Sequence, residues 1–180
     1  VNAQVQDRFA EGLLQTLIEI GPKILDDSAD YDTRANLMWA ASMALNGLIG
    51  AGVPQDWSTH LIGHELTALH GIDHARTLAI VFPANLQVRR QEKREKLLQY
   101  AARVWQIVEG DEEQRIDTVI ARTRAFFEQL GLPTRLSDYG LVETDIEIII
   151  TQLKSHNLTQ LGEHKTVSLE ISRQILATSI

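Results

Sequence analysis

Helical periodicity runs through nearly all of the 180 residues. Val5, Phe9, Leu13, Leu17 and Ile20 recur at i, i+4, i+8, i+12 and i+15, which places them on one face of a helix predicted over residues 1–20. Gly21-Pro22 should stop it. Asp32 or Thr33 can cap a second helix, running to about Ile49. Its stretch from Leu37 to Leu45 is apolar nearly all round, the pattern of a helix buried in a core. Asp56 or Ser58 can cap a third helix that ends at Gly71. A fourth starts near His74, and Pro83 should kink or end it. Residues 91–108 are amphipathic, with Leu97, Leu98, Ala101, Val104 and Trp105 inward. Asp111 with Gln114 resembles a capping box, and Thr144 with Glu147 a better one; they open helices over about 111–130 and 144–156. Residues 168–177 form the last helix. Ile146 to Ile150 is β-branched, but the cap before it and Leu153 after it favour helix. The fold class is therefore all-α: one multi-helix bundle, a single domain over residues 1–180.

Composition narrows the function classes. A hydrophobic content of 44% suits one well-cored domain. The formal net charge of −7 is the wrong sign for a non-specific nucleic-acid binder. The one dense basic stretch, Arg89 to Lys96, is interrupted by acids and reads as a solvated helix face. With no cysteine, disulfides and thiolate metal sites are excluded, in keeping with a cytoplasmic protein. No apolar run is long enough for a membrane span, and no leader is expected. The chain starts at Val1 rather than Met, already in helical pattern, so the natural protein is expected to continue upstream.

Four of the six histidines, His60, His64, His70 and His74, fall within fifteen residues. His60 and His64 are i, i+4 and share a helix face, so both imidazoles can reach one divalent ion. His70 lies on the far side of that helix. His74 follows the Gly71 break and reaches the first pair only if the chain turns back. Gly63 costs its helix about 1 kcal/mol relative to alanine, which makes sense if a neighbouring helix or a flat ligand comes close. Two imidazoles alone are an incomplete site, and no carboxylate is clearly placed to finish it. Glu65 points off the His60/His64 face, and Asp73 adjoins His74. His156 and His164 read as structural or exposed. The zinc-protease pair, the paired Glu-x-x-His of di-iron bundles, the phosphate loop and the dinucleotide glycine turn are all missing.

Gly52-Val53-Pro54-Gln55-Asp56-Trp57-Ser58-Thr59-His60-Leu61-Ile62-Gly63-His64-Glu65-Leu66-Thr67, with His74 fourteen residues after His60, resembles the signature of iron-containing (group III) alcohol dehydrogenases. Asn46 to Gly50, Gln99-Tyr100-Ala101, Phe126 to Gly131 and Leu136 to Gly140 extend the likeness over essentially the whole chain. It looks closest to the bacterial NADPH-dependent aldehyde reductase branch, related to butanol dehydrogenases. That family also resembles dehydroquinate synthase and glycerol dehydrogenase. The resemblance implies that this chain is the all-α, C-terminal metal-binding domain, and that an N-terminal α/β domain holding NADP or NAD is absent. It implies His60 and His74 as two of four ligands to a divalent metal, Fe or Zn, with an Asp-x-x-x-His pair just upstream of Val1. His64 is then the non-ligand histidine beside the nicotinamide, serving catalysis and cofactor contact by relaying a proton, a task suited to imidazole. His74 opens a helix, whose positive end favours the neutral ring a ligand must be. The implied partners are a small aldehyde or alcohol and a second copy of the chain, with Trp57 lining a small pocket. The chain alone should be inactive, and with its partner domain missing it could expose an apolar face. Two other readings compete: a non-catalytic helical module that captures metal through His60, His64 and His74, and a purely structural helical domain.

Overall fold

The computed structural model describes residues 3–180. Eight α-helices carry most of them: α1 (Gln4–Asp26), α2 (Tyr31–Leu45), α3 (Ser58–His70), α4 (His74–Val88), α5 (Arg94–Arg103), α6 (Glu112–Gln129), α7 (Glu143–Ser155) and α8 (Leu169–Thr178). The all-α expectation holds. The only strands among the described residues are β1 (Gln160–Leu161) and β2 (Val167–Ser168), an antiparallel pair too short to show alternation in the sequence. Val1 and Asn2, where the pattern starts the first helix, lie outside the described residues. The chain divides into two compact units: Val1–Val53 with Arg94–Val119, and Pro54–Lys93 with Ile120–Ile180.

In the first unit, α1 does not stop at Gly21-Pro22 but runs through Pro22 to Asp26. Proline deletes one ladder bond, to the carbonyl of Ile18, and the helix resumes beyond it, where the Asp27 amide reaches Lys23 at 3.0 Å. Of the five apolar positions on the expected face, Ile20 is buried while Val5 and Phe9 are exposed. Glu11 is buried instead, because Gln99 and Arg103 of α5 reach its carboxylate at 2.6 and 3.1 Å. Asp30, not Asp32 or Thr33, caps α2, accepting from the Thr33 amide at 2.8 Å. The expected burial of α2 also fails: Met38 and Trp39 are 73% and 68% exposed, and only Thr33 and Ala40 are buried. An apolar surface all round a helix states a demand for cover, and this unit supplies cover on one side only. The Asp111–Gln114 box forms as expected, with reciprocal bonds of 3.0 and 2.9 Å.

The second unit has a dense apolar centre. Ile62 and Leu66 of α3, Ile80 and Val81 of α4, Ile149 and Leu153 of α7, and Ile175 and Leu176 of α8 are all fully buried in one cluster. α4 continues through Pro83 to Val88 rather than ending there. A mid-helix proline costs about 3 kcal/mol. Burying Ile80 and Val81 returns about 1.5–3 kcal/mol each, so packing outweighs the break. α7 is helical, as the spacing of Ile146, Ile149, Ile150 and Leu153 requires, but it opens before Thr144. Asp145 accepts from the Val142 amide at 2.8 Å, while Glu147 turns outward to Arg173. Ser168 caps α8 through the Ile171 amide.

Candidate metal centre

α3 and α4 meet as a helix–turn–helix, and the turn decides where the histidines go. Gly71 ends α3 at φ +67°, a conformation open to glycine at little cost, and its amide bonds Thr67 O at 2.9 Å. Ile72 is buried, and His74 opens α4 facing back along α3. The close approach at Gly63 is to a neighbouring helix, not to a flat ligand. A Cβ there would lie 2.7 Å from Thr77 Oγ1 on α4.

His60, His64 and His74 converge, with one ring nitrogen of each within 4.8 Å of the others. His60 Nδ1 lies 3.0 Å from His74 Nε2. The His64 and His74 ring centres are 4.5 Å apart, closer than His60 and His64 at 6.2 Å. The i, i+4 pair is thus bridged by the third ring across the turn. Among the described residues it is the one group of three or more metal-capable side chains. His60 and His74 are half-buried and His64 is exposed. Burial lowers the His60 pKa, and the neighbouring His74 and His64 rings lower it further. Burial, then His64, does the same to His74. Neutral imidazoles are the form that binds a borderline divalent metal, so this donor set fits one. Trp57 stands edge-on to His60 at 5.1 Å and is half exposed.

The other candidates fall outside this group. Glu65 points away, as expected, and its Oε1 meets His156 Nδ1 at 2.8 Å, giving His156 a structural partner. His70 lies on the far side of α3, lining a surface cleft with Asp73, Arg76 and Tyr139. His164 is exposed.

Asp56 and Arg89 hold the start of α3 in a way the sequence did not reveal. Asp56 Oδ1 accepts from the Ser58 amide and hydroxyl at 2.9 and 2.6 Å. Its Oδ2 receives Arg89 at 2.5 Å and Lys93 at 2.8 Å. Arg89 also binds Glu92, and Lys93 binds Glu163. Only 2% of the Arg89 side chain is exposed, so at this residue the solvated-face reading is corrected. Its acidic partners lie 33 residues back, three on and 74 on, and sequence proximity shows only the middle one. Burial opposes the Asp56 charge, but Lys93 and Ser58 outweigh it and hold the carboxyl well below its usual range. Asn85 of α4 adds bonds of 2.9 Å to the Ser58 and Thr59 hydroxyls.

Residues 1–178 match the family model described as Fe-containing alcohol dehydrogenase family, C-terminal. The chain belongs to this family. It is 62% identical over 175 residues to the NADPH-dependent aldehyde reductase YqhD of Escherichia coli (strain K12), covering 97% of this chain and 45% of that protein. It is 37% identical over 183 residues to the NADH-dependent butanol dehydrogenase B of Clostridium acetobutylicum, covering 99% and 46%. The substrate- and cofactor-free structure of E. coli YqhD superposes with a TM-score of 0.98 at 60% identity, over 100% of this chain and 47% of that one. The NADH-dependent butanol dehydrogenase A structure from Thermotoga maritima gives 0.90 at 29% identity, over 98% and 46%. The chain therefore spans a little under half the length of the relatives it matches. No helix among the described residues is long and apolar enough to cross a membrane.

Proposed function

We propose that this chain is the metal-holding half of an NAD(P)-linked alcohol dehydrogenase or aldehyde reductase that interconverts small aldehydes and primary alcohols. The observation that carries the reading is the convergence of His60, His64 and His74 across the α3–α4 turn. The names of the relatives, aldehyde reductase and butanol dehydrogenase, support the substrate class. His60 and His74 hold a divalent metal, Fe or Zn, through neutral ring nitrogens. The remaining ligands and the nicotinamide site belong to polypeptide outside these 180 residues. When bound, such a metal supplies Lewis-acid polarisation of the substrate oxygen. His64 is the more exposed ring, and it takes up or returns the alcohol proton at a ring nitrogen. Trp57, edge-on to His60, lines the site for a small substrate. The reading carries with it a dimeric assembly in the cytoplasm.

Elemental analysis and steady-state kinetics on the complete enzyme test the roles. His60→Ala and His74→Ala should each abolish metal retention. His64→Ala should keep the metal and lower turnover by about 10²–10⁴-fold, the range for a lost proton-transfer group. Full metal content and full turnover in either of the first two variants removes the ligand assignment. Loss of metal in the third makes His64 a ligand.

A further inference from the structure

Thr77 is completely buried on α4, three residues beyond His74. Its Oγ1 lies 2.8 Å from the His74 carbonyl oxygen and 3.4 Å from His74 Nδ1. A hydroxyl has one proton to give, and a carbonyl oxygen can only accept. The Thr77 proton therefore goes to the carbonyl, and Oγ1 presents a lone pair to Nδ1. The contact is attractive only if Nδ1 carries the ring hydrogen; with the hydrogen on Nε2, two lone pairs would face each other beside a buried oxygen. An imidazole protonated at Nδ1 keeps its lone pair on Nε2. That atom faces His60 Nδ1 at 3.0 Å. Gly63 completes the arrangement from α3, because a side chain there would push on the Thr77 hydroxyl.

The geometry points to Thr77 as a positioning residue that fixes the His74 tautomer, leaving Nε2 unprotonated and turned toward His60. The tautomer stands on the contacts alone, and its consequence for metal binding rests on the function proposed above. Ring-orienting partners of this kind alter metal affinity by about 10–100-fold when removed. With His74 Nε2 unprotonated, the 3.0 Å contact is a hydrogen bond donated by His60 Nδ1, so in the metal-free chain Thr77 sets His74 and His74 in turn sets His60.

Imidazole ¹⁵N spectroscopy on the metal-free 180-residue chain at pH 8 reads the tautomer directly. The unmodified chain should show His74 with a protonated Nδ1 and an unprotonated Nε2. Thr77→Val keeps the side-chain shape without the hydroxyl and should shift the ring to a mixed population. Thr77→Ser should restore the single form. A protonated Nε2 in the unmodified chain, or an unchanged ring in Thr77→Val, overturns the proposal. Titration with Co²⁺ of the complete, metal-stripped enzyme carrying the same changes reads the consequence, with binding to Thr77→Val weaker by about tenfold and rescued by Thr77→Ser. Equal affinity in all three overturns the consequence. A tautomer that responds as expected alongside a complete enzyme that takes no Co²⁺ instead removes the metal reading and leaves the positioning role standing.

Discussion

Gly63→Ala should destabilise the chain, although alanine is the better helix former. At an open helix position this change gains about 1 kcal/mol. At Gly63 the new Cβ would sit 2.7 Å from Thr77 Oγ1, 3.4 Å from Thr77 Cβ and 3.6 Å from Leu78 Cδ2. Two responses are open. α3 and α4 can move apart, but both are anchored by fully buried side chains, Ile62 and Leu66 on one and Ile80 and Val81 on the other. Overpacking such a contact costs about 1–3 kcal/mol. Alternatively the Thr77 hydroxyl can rotate, abandoning the His74 carbonyl and leaving a buried polar group unpaired, which also costs about 1–3 kcal/mol. Set against the propensity gain, either route leaves a net loss of about 1 kcal/mol. Urea unfolding followed by far-ultraviolet dichroism measures it. Adding Thr77→Ala removes the obstructing oxygen, so the two changes should couple by about 1–2 kcal/mol in a double-mutant cycle. A higher urea midpoint for Gly63→Ala, or simple additivity in the cycle, would refute the close-approach reasoning.

Arg89→Met should cost about 3 kcal/mol, the low end for breaking a buried ion network, because Lys93 still neutralises Asp56 and Glu163; a loss below about 1 kcal/mol in urea melts would show the network to be idle. The depressed Asp56 carboxyl contributes stability that is present above the unfolded carboxyl value of about 3.9 and lost as pH falls toward the lower folded value. Asp56→Asn should therefore be less stable than the parent at pH 7, with the gap closing below about pH 4. His60 and His74 also have lowered folded values, so their contribution is complete above about pH 6.5 and declines as the solution is acidified. Replacing both with Gln should flatten the change in urea midpoint between pH 7.5 and 5.5, and an unchanged slope would sink the assignment.

Much of the fold was legible because it is local. The 3.6-residue spacing of Ile146, Ile149, Ile150 and Leu153 identifies α7, and one glycine with φ +67° ends α3 where the sequence places it. The failures share a cause. Pro22 and Pro83 are local warnings overruled by the helices that continue around them. α2 is apolar all round yet mostly exposed, since a pattern reports which residues seek cover and not whether cover exists. Thr144 and Glu147 make a plausible box, but Asp145 reaches the Val142 amide first and Glu147 is drawn to Arg173.

The site divides along the same line. His60 and His64 are neighbours by helix geometry, and His74 is brought in by a break visible as Gly71. What orients these rings is not local in the same sense. Asp56 reads as a cap, but Trp57 occupies that position, and Asp56, one residue earlier, takes the Ser58 amide; that its second oxygen carries Arg89 and Lys93 depends on partners more than thirty residues away. Gly63 carried a usable signal, because a glycine inside a helix implies something close by. The identity of that neighbour was written fourteen residues on, at Thr77, the same interval that separates His60 from His74. Two antiparallel helices joined by a short turn pair positions whose index sum is nearly constant, so pairs nearer the turn are closer in sequence. Gly63 with Thr77 and Thr59 with Asn85 follow this rule closely, with sums of 140 and 144, and His60 with His74, at 134, falls a little nearer the turn. α3 and α4 therefore run side by side as an antiparallel pair over several turns. That packing turns His74 and its orienting hydroxyl, one helical turn apart on α4, together toward α3.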